Sequence, residues 1–262
     1  MPELPDVEKF KRYLDATSLH AEIVAVHTDG SERVFEVDPG RLEEAVVGRE
    51  LESTVRHGKY LLAEVTGAGW LALHFGMTGF LKYFKDMEKD PDHDRLRLDF
   101  SDGYHLAYDS QRKLGEVDLV EDPEALVESR ELGPDALDPD LNLTELASAM
   151  AGRRATVKSV LMDQSFVAGV GNIYADEILF QSRVHPGVRA SEIEEERLVR
   201  ILGKMGEVLR AAIDANAELD RLPEGYLLPH REQGASCPGC GGEVEKIAIS
   251  GRPTYVCPRC QQ

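Results

Sequence analysis

The chain is predicted to adopt an α+β multidomain fold: an N-terminal antiparallel β-sandwich, then a helical domain, then a small C-terminal β-hairpin that carries the cysteines. Three observations lead there. Residues 21–120 hold short strand-like runs parted by Gly-containing turns. Residues 141–215 switch to the helical period of apolar residues. All four cysteines fall within the last 26 residues.

The elements follow in order. A helix over about Asp6–Ala16 opens the chain. Tyr60–Val65 and Trp70–Phe75 read as strands, because apolar residues crowd between turn formers at Thr66-Gly67-Ala68-Gly69. Arg95–Phe100 and Tyr104–Tyr108 form a hairpin across Ser101-Asp102-Gly103. Leu141–Met150 and Lys158–Met162 carry the helical period. Glu192–Ala215 is a longer amphipathic helix, acidic in its first turn, with Leu198, Ile201, Leu202, Met205, Val208 and Leu209 on one face. The Pro- and Asp-rich stretch from Gly133 to Pro139 marks a boundary. The expected domains are 1–135, 136–230 and 231–262.

No apolar run reaches 18 residues, and the first residues lack the basic start and apolar stretch of a signal peptide. A soluble, intracellular protein is expected, with no membrane partner. The net charge of −18 argues globally against a polyanionic ligand. The charge is uneven, however. Residues 151–262 hold 14 basic and 15 acidic side chains, which leaves 16 and 33 for residues 1–150. Ten Lys against twenty Arg, among many carboxylates, suit a protein working in high salt.

Cys237, Cys240, Cys257 and Cys260 have the spacing C-x2-C, sixteen residues, C-x2-C. Each pair can present two thiolates across a tight turn, and two such knuckles complete a tetrahedral, structural Zn2+ site. Two disulfides match the count but not an intracellular chain. Residues 241–256 read as a β-hairpin with Gly251-Arg252-Pro253 at its tip, holding Arg252 outward for phosphate.

Three segments converge: Met1-Pro2-Glu3-Leu4-Pro5-Asp6 at the start, Asp163 to Glu177 with Gly169-Val170-Gly171-Asn172 at its centre, and Gly251 to Gln261 at the end. In this order, and nearly end to end, the chain resembles the formamidopyrimidine-DNA glycosylase/endonuclease VIII family. The resemblance implies a helix–two-turn–helix in the helical domain and a zinc-finger hairpin. It also implies a bifunctional DNA glycosylase/AP lyase of base-excision repair. The partner is double-stranded DNA with oxidised bases or abasic sites. The protein is expected to act as a monomer, in a prokaryotic cytoplasm.

Removal of Met1 leaves Pro2 as a secondary amine. An α-amine has a pKa of about 7.7–8.0, against about 10.4 for lysine, so an appreciable share is free base at neutral pH. It is a natural Schiff-base nucleophile. The resemblance makes Glu3 the general acid/base and Lys59, in His57-Gly58-Lys59-Tyr60, the phosphate ligand beside the lesion. It assigns Lys158, Asn172 and Arg252 to a phosphate clamp. Met77, Arg112 and Leu114 fill the hole left by the flipped nucleotide, Arg112 facing the orphaned base. Met77 and Leu114 would also suit a core.

Three positions depart from the family pattern. Asp6 replaces a glutamate, Leu114 a phenylalanine, and Ser110 an aspartate expected to orient Arg112. The stretch from Ala215 to Gly234 is short where the purine-specific branch has a long loop over 8-oxoguanine. Two other readings stay open: a non-catalytic damaged-DNA-binding protein of the same fold, and a zinc-ribbon interaction protein without DNA.

Overall fold

The computed structural model describes all residues, Met1–Gln262, as two units. Met1–Pro2 and Asp6–Arg130 form one; Glu3–Pro5 and Glu131–Gln262 form the other.

The first unit is built from α1 (Leu4–Thr17, whose first two residues belong to the second unit), β1 (Ile23–Thr28), α2 (Pro39–Val46), β2 (Leu51–His57), β3 (Tyr60–Val65), β4 (Gly69–His74), β5 (Phe80–Phe84), β6 (Asp94–Phe100), β7 (His105–Asp109), β8 (Glu116–Val120) and α3 (Pro123–Ser129). Two antiparallel sheets result, in the orders β1-β6-β7-β5 and β2-β3-β4-β8. In β6, Leu96, Leu98 and Phe100 are buried while Arg95, Arg97 and Asp99 are only half-buried, the period of two that a one-sided strand requires. Ile23, Leu81 and Leu98 from one sheet share a core with Leu61, Leu73 and Val117 from the other. This is the predicted sandwich. Each such side chain, fully buried, contributes about 1.5–3 kcal/mol.

The second unit holds α4 (Leu143–Ala151), α5 (Val157–Leu161), α6 (Asn172–Gln181), α7 (Glu195–Asp214), β9 (Glu245–Ile249) and β10 (Arg252–Val256). Asn142 caps α4 by accepting from the N–H groups of Thr144 and Glu145, and Thr156 caps α5. The predicted apolar face of α7, Leu198 through Leu209, is buried in the core with Ile178, Leu179, Val160 and Met150. α7 starts at Glu195 rather than Glu192, because Ala190–Glu192 forms a single 3-10 turn. α6 gave no periodic signal because Tyr174–Phe180 are buried all round.

β9 and β10 pair with Ile249 opposite Arg252. Ser250 (φ 49°) and Gly251 (φ 74°) therefore make a two-residue turn with both φ positive. The tip is Ser250-Gly251, and Arg252 is the first residue of β10, a shift from the expected Gly251-Arg252-Pro253.

Candidate active site and nucleic-acid interface

The N-terminus of α6 lacks a cap of its own: Gly171 stands at the N-cap with no side chain to offer. Glu3 supplies one. Its carboxylate accepts from the N–H groups of Gly171 (2.9 Å), Ile173 (2.8 Å) and Tyr174 (3.1 Å), and the residue is fully buried. An anion here meets the positive end of the helix and its unpaired donors. Leu4 N–H donates to the Gly169 carbonyl and holds the strand of chain beside it. Both glycines are required for the approach. A Cβ at Gly171 would stand 2.3 Å from Glu3 Cδ, and one at Gly169 (φ 118°) 2.5 Å from Leu4 Cδ1. Gln164 shapes the loop that delivers them: its amide nitrogen donates to Met162 and Val170 carbonyls, and its oxygen accepts from Gly169 N–H. Pro2 directly precedes Glu3 in the chain.

Lys59 lies in the tight turn between β2 and β3, with Gly58 at φ 55°. The register places Tyr60, His74 and Glu116 in one row across β3, β4 and β8. Tyr60 and His74 rings lie 4.9 Å apart, and Tyr60 OH donates to Glu116 (3.0 Å), which Arg130 clamps. Nδ1 of His74 accepts from Gly76 N–H, so the ring proton sits on Nε2. Burial pulls the His74 pKa down to about 4, against the charge of Glu116 and with that of Lys59. His74 is thus a neutral donor at pH 7. Its folded pKa is depressed, so its contribution to stability is in place above pH about 6.5 and is lost as pH falls through about 4. NMR titration is expected to show a neutral His74 imidazole from pH 8 down to about pH 5, on the same basis.

Met77 and Leu114 are exposed, at 39% and 51%, which excludes the core reading for both. Their loops are locked together. Gly76 packs so tightly that a Cβ there would meet the Leu114 carbonyl oxygen at 2.3 Å, and Arg112 N–H points at Thr78 Oγ1 (3.4 Å). Exposed Arg112 stands beside them.

The second unit brings Asn172 to the zinc hairpin: its Nδ2 donates to the Pro253 carbonyl (3.0 Å). Arg252, exposed, precedes that residue. Lys158 differs from expectation. It is 1% exposed, and its Nζ donates to Asp176 Oδ1 and Thr254 Oγ1, both at 2.7 Å. Its amine is taken up by these two partners instead of standing free for phosphate, and it ties α5 and α6 to β10. Asp176 also accepts from Arg231 (2.9 Å) and from Tyr255 N–H (3.2 Å). Burial pulls the Lys158 pKa down and the Asp176 charge opposes it.

The four cysteine sulfurs lie within 4.8 Å of one another, with Cys237–Cys260 at 3.8 Å and Cys240–Cys257 at 3.6 Å. Sulfurs bound about 2.3 Å from one tetrahedral zinc lie about 3.8 Å apart, whereas a disulfide needs about 2.05 Å. Donor type and spacing both fit structural zinc.

Comparison with known proteins completes the picture. Residues 1–117 match the formamidopyrimidine-DNA glycosylase N-terminal domain, 132–222 its H2TH domain, and 236–262 the zinc finger found in that enzyme and in isoleucyl-tRNA synthetase. A formamidopyrimidine-DNA glycosylase of Halorhodospira halophila is 36% identical over 271 residues, with all of both chains covered. One of Streptococcus pyogenes serotype M28 is 32% identical, covering 100% of this chain and 99% of its own. The chain belongs to the formamidopyrimidine-DNA glycosylase family. The Lactococcus lactis member of this family, solved non-covalently bound to DNA containing an abasic site, matches with a TM-score of 0.90, 26% identity and full coverage of both chains. The same enzyme solved with DNA containing N7-benzyl-Fapy-dG matches equally well.

Of the residues that hold these local arrangements, sequence reasoning missed His74 in the first unit, and Gln164, Asp176 and Arg231 in the second. Gln164 and Asp176 were visible as polar residues inside the Asp163–Glu177 segment. His74 had no local signal, because only strand register brings it beside Lys59.

Proposed function

We propose that this DNA glycosylase of base-excision repair works through the amine of Pro2, freed by removal of Met1. The nitrogen lone pair attacks the sugar C1′, and the bond to the damaged base breaks with its electrons leaving on the base. Glu3 manages the proton at the ring oxygen or leaving group. The Pro2 nitrogen gives up its proton to the departing base, and its lone pair then opens the sugar: C1′–O4′ breaks, O4′ takes a proton from Glu3, and the iminium so formed acidifies the C2′ proton, so that β- then δ-elimination releases the flanking phosphates. The observation that carries this reading is the fully buried Glu3 carboxylate, fixed by three N–H donors one residue from Pro2. A pure DNA-binding protein has no use for a secondary amine tethered there.

Lys59, Asn172 and Arg252 are assigned to backbone phosphates, Asn172 through the amide hydrogen that Pro253 leaves over. Lys158 acts as a positioning residue behind Arg252. Met77, Arg112 and Leu114 take the place of the extruded nucleotide. The zinc site is structural, and its four thiolates form the base of the Arg252 hairpin.

The test is processing. Chains that keep Met1 are expected to leave abasic DNA uncut, and the same chains after aminopeptidase treatment to cut it. Equal cleavage by both would contradict the role of Pro2.

The lesion class follows from the segment after α7. Glu177 accepts from the N–H groups of Leu227 and Leu228, and Gln181 donates to the Gly225 carbonyl, so this short segment is held down on α6. Too little chain is left to fold over 8-oxoguanine. Excision of formamidopyrimidines or oxidised pyrimidines is expected to exceed that of 8-oxoguanine opposite cytosine by about tenfold in kcat/KM, the size of a lost substrate contact. Single-turnover assays on matched duplexes measure it.

A further inference from the structure

A charged network in the first unit holds the loop that carries Arg112 and Leu114. The Ser110 carbonyl closes a turn by accepting from Lys113 N–H (3.2 Å), with Arg112 at the third position and Lys113 at φ 52°. The same carbonyl accepts from Arg95 Nε (2.9 Å). Arg95 Nη1 in turn donates to Asp29 Oδ2 (2.6 Å), which also faces Lys113 Nζ (3.2 Å). The other oxygen of Asp29 is taken by Ser31 N–H (2.9 Å). First and last residues of one turn are therefore joined through a single guanidinium and a single carboxylate. Arg95 and Asp29 are mostly shielded from water, at 11% and 20% side-chain exposure. Such shielding makes the pair worth more than an exposed one. Burial opposes ionisation of Asp29, but Arg95, Ser31 N–H and Lys113 together hold its pKa below the usual carboxylate value.

We infer that Asp29 and Arg95 are positioning residues for partner-base recognition: they fix the turn from which Arg112 reaches the base opposite the lesion. The network offers nothing to the reacting sugar. Ser110 contributes its backbone carbonyl to it. This inference rests on the proposed role of Arg112.

The test is a double-mutant cycle read as the ratio of excision rates opposite the best and the worst partner base. Arg112→Ala is expected to collapse that ratio towards one. Arg95→Met, which keeps the apolar stem, is expected to reduce it by about 5–10-fold, and Asp29→Asn by a similar factor, the size of a coupling between contacting residues. Added to Arg112→Ala, Arg95→Met should change the ratio no further. A merely structural role would slow excision opposite every base alike and leave the ratio intact. The inference is overturned if Arg95→Met leaves the ratio unchanged while Arg112→Ala alters it. It is also overturned if Arg95→Met lowers the ratio further without Arg112. If Arg112→Ala itself has no effect on the ratio, the role given to Arg112 falls, and this inference with it.

Discussion

Glu3→Gln is expected to lower base excision by about 10³-fold, within the range for removing a general acid/base. Two effects add. The carboxamide cannot exchange a proton with the sugar or leaving group. It also turns an NH2 towards donors: Glu3 meets three backbone N–H groups on its two oxygens, and an amide has only one oxygen to offer them. Leaving buried N–H groups unmatched costs about 1–3 kcal/mol each, so melting should fall as well. Glu3→Asp separates the effects: it keeps the charge but shortens the reach to the helix end. Single-turnover excision and thermal unfolding, measured on both variants, give the two contributions.

Loss of zinc is the second large effect. Cys237 and Cys257 are buried with Phe180, Leu227 and Val244 in a small core of their own. Few apolar side chains hold this module, so metal binding, about 10–16 kcal/mol for a comparable site, supplies most of its stability. Chelation or Cys257→Ala is expected to unfold the hairpin, break the bond from Asn172 to the Pro253 carbonyl beside Arg252 and weaken DNA binding about 100-fold or more, given that supply. Anisotropy with a labelled abasic duplex measures the loss. Zinc added back should restore binding to the chelated protein but not to the Cys257→Ala variant. The first unit's sandwich core contains none of these residues and should keep its fold.

Much of this was legible in the sequence. Tyr60–Val65, the α7 face and the cysteine spacing carry patterns that a single element imposes on itself. The β1, β2, β5 and β8 strands were harder, since their burial is irregular; β2 shows a register shift between Leu51 and Thr54. α6 was concealed by burial on every side. The cysteines could be picked out because their chemistry is tied to residue type and spacing, whereas Pro2 and Glu3 were singled out through the family resemblance. Lys158 misled for the opposite reason. The family resemblance alone made it a phosphate ligand, and only the fold reveals Asp176 and Thr254 around its amine. The Asp29–Arg95 network was equally invisible, because its members are 66 residues apart.

In the proposed mechanism, Pro2 forms the covalent bond to DNA. Borohydride reduction during reaction with abasic or lesion-bearing duplex, followed by mass mapping of the adduct, tests it most directly. One stable adduct is expected, on the nitrogen of Pro2 in chains that have lost Met1. An adduct on Lys59 or another lysine, or none from fully processed protein, would contradict it.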